Sequence, residues 1–417
     1  QYRFEVTKLG IKLGIRMKKL YVQIYCVLVA FTIGIVGCTS STKKDKDMEG
    51  MESDAMELAA KIRIGWNLGN SLEVPLNDGG ETGWGNPVTT KALIDLVKAS
   101  GFNAVRIPCA WDGYADSTKV ISPEWLARVQ EVVDYCMTND MYAILNIHWD
   151  GGWLENNSTI DKLEEVNELQ CDYWMQIANH FKNYDERLLF AGCNEPNIDR
   201  YHGDEIARIG MAILKTYEQS FINVVRATGG RNKYRNLIVQ GPHADIECTE
   251  KYYGLMPKDI IPNRLIMEVH CYTPWNFCGM KQDESWGKSY YFWGKAFHKE
   301  GSDRNSQWGE EEDILRLFDK MKTMFVDKGV PVILGEYGVM RRQELEEDKE
   351  HYPQHLQSRA YYIEFVTREA KNNGMVPFYW DNGYTDFGIF DRKQNTVSDT
   401  LVLRALIQGA EQGNYPY

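Results

Sequence analysis

Two glutamates each close an apolar run. "LLFAGCNEPNID" passes from Leu188 through apolar residues into Asn194-Glu195-Pro196, and "VILGEYG" carries Glu336 in the same manner. A buried strand gains nothing by ending on a carboxyl unless that carboxyl is aimed at something. Two carboxyls opposed across a neutral substrate are the minimum equipment for glycoside hydrolysis: one protonates the leaving oxygen, the other attacks the sugar or activates water. Further apolar runs end on polar or aromatic groups: Asn67 and Asn70, Arg106, His148 with Trp149, His243, His270 with Tyr272, and Trp380. One such group is usually a satisfied structural residue, but a full rim of them is not what a core needs. Histidine and arginine beside the carboxyls would set which of the two is ionised.

A scaffold must bring these residues together. Eight short Val/Ile/Leu-rich runs occur: "KIRIGWNLGN", "NAVRIPCAW", "YAILNIHWD", "RLLFAGCNEP", "NLIVQGPH", "RLIMEVHCYTP", "VPVILGEYG" and "VPFYWDNG". Continuous apolar character marks parallel strands covered on both faces. Between them lie segments of helical period, such as "PEWLARVQEVVDYCMTND", where Trp125, Leu126, Val129, Val132, Val133 and Cys136 recur at three- and four-residue steps behind an initial proline. Eight alternations predict an α/β fold, a (β/α)8 TIM barrel in one catalytic domain with long βα loops, over residues 54–417. Its chemistry belongs at the C-terminal strand ends. A doubly wound sheet is the competitor, but "GWNLGNS" lacks the G-x-G-x-x-G spacing after the first strand.

At 417 residues and a formal charge of −12, the chain is a poor partner for nucleic acid, which calls for a basic surface. From Met17 onward, "MKKLYVQIYCVLVAFTIGIVGCTSSTKKDKD" has two lysines, an apolar run, a small residue before Cys38 and a charged tail. Residues 1–37 read as an export signal, with 1–16 a possible start-site misassignment and 38–53 a linker. An uncleaved anchor is the alternative, since the apolar run approaches spanning length. Residues 1–37 carry six Lys/Arg against one acid, so the remainder moves from −12 to −17. Cysteines beyond Cys38 show neither a disulfide framework nor metal-ligand spacing, so no metal is expected.

Asn194-Glu195-Pro196, with Glu336, Arg106, His148, His270, Tyr272 and Trp380, resembles glycoside hydrolase family 5, the retaining cellulase-type barrels. "GWNLGNSLE" and "ETGWGNPVTT" further resemble its bacterial endoglucanase branch, acting on β-1,4-glucan, xyloglucan or mixed-linkage glucan. The resemblance implies Glu195 as acid/base, Glu336 as nucleophile, and no cofactor. In that setting Arg106 can hold Glu336 ionised. Glu195 must begin protonated, helped by partial burial and by the charge on Glu336. Tyr272 can donate to Glu336, and Asn194 suits the sugar 2-hydroxyl. His148 and His270 offer neutral donors, Asn67 joins the substrate-binding set, and Trp380 offers a flat face for a pyranose. The site before Cys38 resembles a bacterial lipoprotein cleavage site, implying a lipid anchor and a place at the cell envelope, at the outer membrane or cell surface.

Retention requires the carboxyls about 5 Å apart. Tryptophans crowd the loops, namely Trp84, Trp111, Trp149, Trp153, Trp275, Trp286, Trp293 and Trp308. Trp84 and Trp275 are the expected sugar platforms because they lie just past strand ends. The insertion Asn276–Gly309 is long enough to carry function. The expected partner is a β-glucan polysaccharide, bound by a monomer. Two alternatives stay open: an endo-β-mannanase on the same scaffold, and a non-catalytic glycan-binding lipoprotein.

Overall fold

The computed structural model describes residues 46–383 and 386–417. The export signal and Cys38 lie outside them. Eight strands form a closed parallel barrel in sequence order: β1 (Gly65–Leu68), β2 (Ala104–Ile107), β3 (Tyr142–Asn146), β4 (Leu188–Ala191), β5 (Leu237–Asp245), β6 (Leu265–Cys271), β7 (Val332–Tyr337) and β8 (Met375–Asp381). β8 pairs with β1 to complete the ring. Helices follow each strand: α1 (Lys91–Ala99), α2 (Pro123–Thr138), α3 (Leu163–His180), α4 (Asp204–Ala227), α5 (Ile246–Tyr252), α6 (Glu311–Met324), α7 (His351–Asn372) and α8 (Thr400–Gln412). The architecture is the expected (β/α)8 barrel.

Local rules account for the elements. In α2 the apolar positions Trp125, Val129, Val132, Val133 and Cys136 are buried, Pro123 stands in the first turn, and the Ser122 side chain accepts from Trp125 N–H. Inside the barrel, Ala104, Ile144, Leu189, Ile238, Ile266, Ile333 and Val376 pack into one apolar cluster. Ala55, Leu58, Ala59 and Ile62 belong to that cluster. They come from a short N-terminal helix, Ala55–Lys61, which begins with a reciprocal capping box between Asp54 and Glu57.

Residues 46–53 are not a free linker, as the sequence suggested. Met51 and Ser53 are buried, Ser53 N–H and hydroxyl both donate to Glu186, and Glu186 N–H donates to the Gly50 carbonyl. One apolar side chain and a few polar contacts suffice to dock a stretch whose composition reads as linker.

Strand register changes at the catalytic end. Irregularities fall between Gln240 and Asp245, at Val269/His270, and between Leu334 and Tyr337. Such breaks re-aim side chains, and here they bring His270 opposite Glu336.

Candidate active site

Arg106, on β2 and wholly buried, organises the site. Its Nη1 donates to Glu336 Oε1 at 2.9 Å and Asn67 Oδ1 at 3.0 Å, while Nη2 donates to Asn194 Oδ1 at 2.7 Å. Its Nε stands 2.8 Å from Glu268 Oε1, an ion pair whose N–H is not aligned with the contact. One guanidinium thus fixes groups from β1, β6, β7 and the β4 end. Asn67 is equally buried, and its amide donates to the Gly335 carbonyl at 2.8 Å. Neither residue is open to a sugar, so the expectation that Asn67 binds substrate is corrected: Arg106 holds Glu336, and Asn67 braces Arg106. Gly335 is required by this crowding, since a Cβ there would lie 2.1 Å from Glu268 Oε1.

Glu195 and Glu336 face each other with His270 between them. His270 Nδ1 is 2.7 Å from Glu195 Oε1 and 3.8 Å from Glu336 Oε2. One ligating atom from each of the three lies within 4.8 Å of the others, so an oxygen of Glu195 and one of Glu336 approach closely, as in retaining glycosidases, whose carboxyls stand about 5 Å apart. Glu336 Oε2 also accepts from the Tyr272 hydroxyl at 3.1 Å. The two carboxyls differ in access: the Glu195 side chain is 42% exposed, that of Glu336 only 8%.

Electrostatics distinguish the neighbours. Burial first, with the charge of Glu195, leaves the Glu336 carboxyl above its ordinary value, although the charges of His270 and Arg106 and the Tyr272 hydroxyl oppose this. Burial also raises Glu268, but Arg106, His270 and Gln240 together hold it below its ordinary value. For His270, burial opposes charge, yet Glu336, Glu195 and Glu268 lift its pKa to about 10. The surrounding carboxyls thus favour the protonated imidazole over the neutral donor expected. His148 does match that expectation. Burial first, then the charges of Arg106 and His270, hold it well below the usual histidine value. The Asn146 amide nitrogen lies 3.1 Å from His148 Nδ1, and the Asn146 oxygen already accepts from Cys109 N–H. Nδ1 is thus the acceptor and Nε2 carries the proton.

Trp380 lies parallel to His148, ring centroids 6.0 Å apart. A cavity of about 490 Å³ is lined by Glu195, His243, His270, Tyr272, Trp275 and Trp308 among others. Trp275 and Trp308 are both about half exposed there, and Trp275 meets Tyr272 edge-on. Trp84 lies part-buried in the loop after β1 and does not line this cavity. Trp111 and Trp293 are core residues instead. Trp293 anchors the long insertion by donating to the Gly309 carbonyl and packing on Tyr362 and Phe365 of α7. The insertion thus presents Trp308 from a fixed base.

Glu268 was not among the residues singled out from sequence, although a signal existed. In "LIMEVHC" it stands two residues before His270, and strand alternation sends both side chains the same way. Replacing Glu268 with glutamine should cost about 3 kcal/mol of stability, because it strips a buried counter-charge from Arg106 and His270. Urea unfolding measures this, and a cost under about 1 kcal/mol, the level of an ordinary surface change, would contradict it. Among the described residues the only acid/histidine group spaced for a metal ion is Glu195–His270–Glu336 itself.

Residues 70–386 match the Cellulase (glycosyl hydrolase family 5) family model. The chain belongs to glycoside hydrolase family 5. A xyloglucan-specific endo-β-1,4-glucanase of Bacteroides ovatus is 38% identical over 372 residues, 87% of this family 5 chain and 72% of that protein. The fold is shared with a B. ovatus family 5 xyloglucanase in complex with a heptasaccharide, with TM-score 0.79, 35% identity, and coverage of 92% of this chain and 80% of that one. A xyloglucan-specific β-1,4-glucanase from a ruminal metagenomic library gives TM-score 0.79 at 37% identity, covering 88% and 98% respectively.

Proposed function

We propose that this chain is a retaining endo-β-1,4-glucanase with xyloglucan as its preferred polymer, Glu195 as acid/base and Glu336 as nucleophile. The observation that carries it is the carboxyl pair, one oxygen of each within 4.8 Å of the other across a family 5 barrel mouth. Glu336, the less accessible carboxyl, is held by Arg106 and Tyr272 for attack on the anomeric carbon. Glu195, the more open one, faces the leaving group and shares a 2.7 Å contact with His270, so a proton is at hand for the departing oxygen. In the second step Glu195 takes a proton from water, which releases the sugar from Glu336 with its configuration kept. Asn194, its oxygen fixed by Arg106, has its NH₂ group to offer the 2-hydroxyl.

The xyloglucan preference rests on the relatives named above, which carry that specificity, and on the cavity of about 490 Å³ beside Glu195, where Trp275 and Trp308 can stack on sugars. Relatives acting on glucan do not favour the mannan alternative, and an intact carboxylate pair does not favour a purely binding role. The sequence before residue 46 supports a lipid-anchored place at a bacterial cell envelope.

Viscosity measured with reducing ends on tamarind xyloglucan, barley glucan, carboxymethylcellulose and mannan tests this. Viscosity should fall steeply at early turnover, with xyloglucan hydrolysed at least about tenfold faster than carboxymethylcellulose, a gap of roughly 1.4 kcal/mol. A slow viscosity fall with only small sugars released would mean exo cleavage. Equal rates on all glucans would remove the xyloglucan preference.

A further inference from the structure

Glu155, in the loop after β3, is a buried carboxyl beside the acid/base. Its Oε1 accepts from the Glu195 backbone N–H at 2.8 Å, and its own carbonyl accepts from Asn197 N–H at 2.7 Å. Asn156 adds a third hold, accepting from the Asn197 side-chain amide at 2.6 Å. Across the turn, His243 N–H donates to the Pro196 carbonyl at 2.8 Å, and its Nε2 lies 2.8 Å from the Ile198 carbonyl. The Asn194–Ile198 segment is therefore gripped from β3 and from β5.

A glutamine oxygen would accept the same N–H without the cost of burying an ionisable group. Among the described residues no ion pair offsets Glu155. The groups facing it are Asn194, Glu195 and Cys193 at the end of β4, and Glu336 on β7. Burial pushes Glu155 up to about 7, with the Glu195 N–H and Asn194 amide opposing this and the charges of Glu195 and Glu336 adding to it.

We propose that Glu155 is a positioning residue for the acid/base: its buried carboxyl holds the Glu195 backbone N–H, and so aims the Glu195 side chain at the leaving group. This rests on Glu195 acting as acid/base.

The test is kcat and KM of the wild type, Glu155→Gln and Glu155→Ala on an aryl β-cellotrioside with a poor leaving group and on one with a dinitrophenyl leaving group. Glu155→Gln, whose amide oxygen can accept the same N–H, should keep kcat within about threefold. Glu155→Ala should lose at least about tenfold in kcat on the poor leaving group with KM little changed, and much less in glycosyl-enzyme formation from the dinitrophenyl substrate, which needs no proton. Wild-type kcat in Glu155→Ala, or a loss in Glu155→Gln as large as in Glu155→Ala, overturns the proposal. A wild type without glucan hydrolysis would instead overturn the roles of Glu195 and Glu336 themselves.

Discussion

Glu336→Ala should lower kcat on xyloglucan by roughly five orders of magnitude, about 7 kcal/mol in barrier height. Among the described residues no other carboxyl is held by both Arg106 and Tyr272 for attack on the anomeric carbon. The fold should survive, because Arg106 keeps Glu268 and Asn194 as partners. Burial would leave a small cavity where the carboxyl stood, open to azide from the substrate side. Azide should restore turnover and give an α-configured glycosyl azide, since it attacks the face Glu336 would have used. A β-configured azide would exchange the roles of the two glutamates.

Glu195→Ala should lose about three orders of magnitude on the polymer, within the usual range for removing a general acid. The loss should depend on the leaving group. A dinitrophenyl cellotrioside should still form the glycosyl-enzyme rapidly and then stall, because no base activates water for the second step. A burst of dinitrophenol followed by a slow phase is the expected trace, and azide should end the stall with a β-configured product. Equal losses on both substrates would mean that Glu195 does not deliver the proton.

How much of this was legible in the sequence depends on whether a residue's partners are local. The eight strands were, because burial on both faces writes an unbroken apolar run into each. The strand ends were also legible, since polar residues closing such runs must face the barrel mouth. Direction was harder. Asn67 and Arg106 end apolar runs as His148 does, yet they turn inward to brace the carboxyls, a choice made by neighbours on β4, β6 and β7. The preference of His270 for its protonated form required three carboxyls from three strands to be placed around it. Glu268 could have been found by alternation from His270. Glu155 could not, because "GGWLENN" is a loop whose return to Glu195 is set by tertiary contacts alone. Among the tryptophans, composition does not separate Trp293, which anchors the insertion, from Trp308, which the insertion presents.

Trapping the intermediate tests the central claim most directly. A 2-deoxy-2-fluoro cellotriosyl donor with a dinitrophenyl leaving group destabilises both transition states, while its activated leaving group lets the first step proceed, so the glycosyl-enzyme should accumulate. Intact-mass spectrometry should show one added fluorotriosyl group, and peptide mapping should place it on Glu336. A label on Glu195, or full turnover with no covalent species and an inverted first-formed anomer, would contradict retention through Glu336.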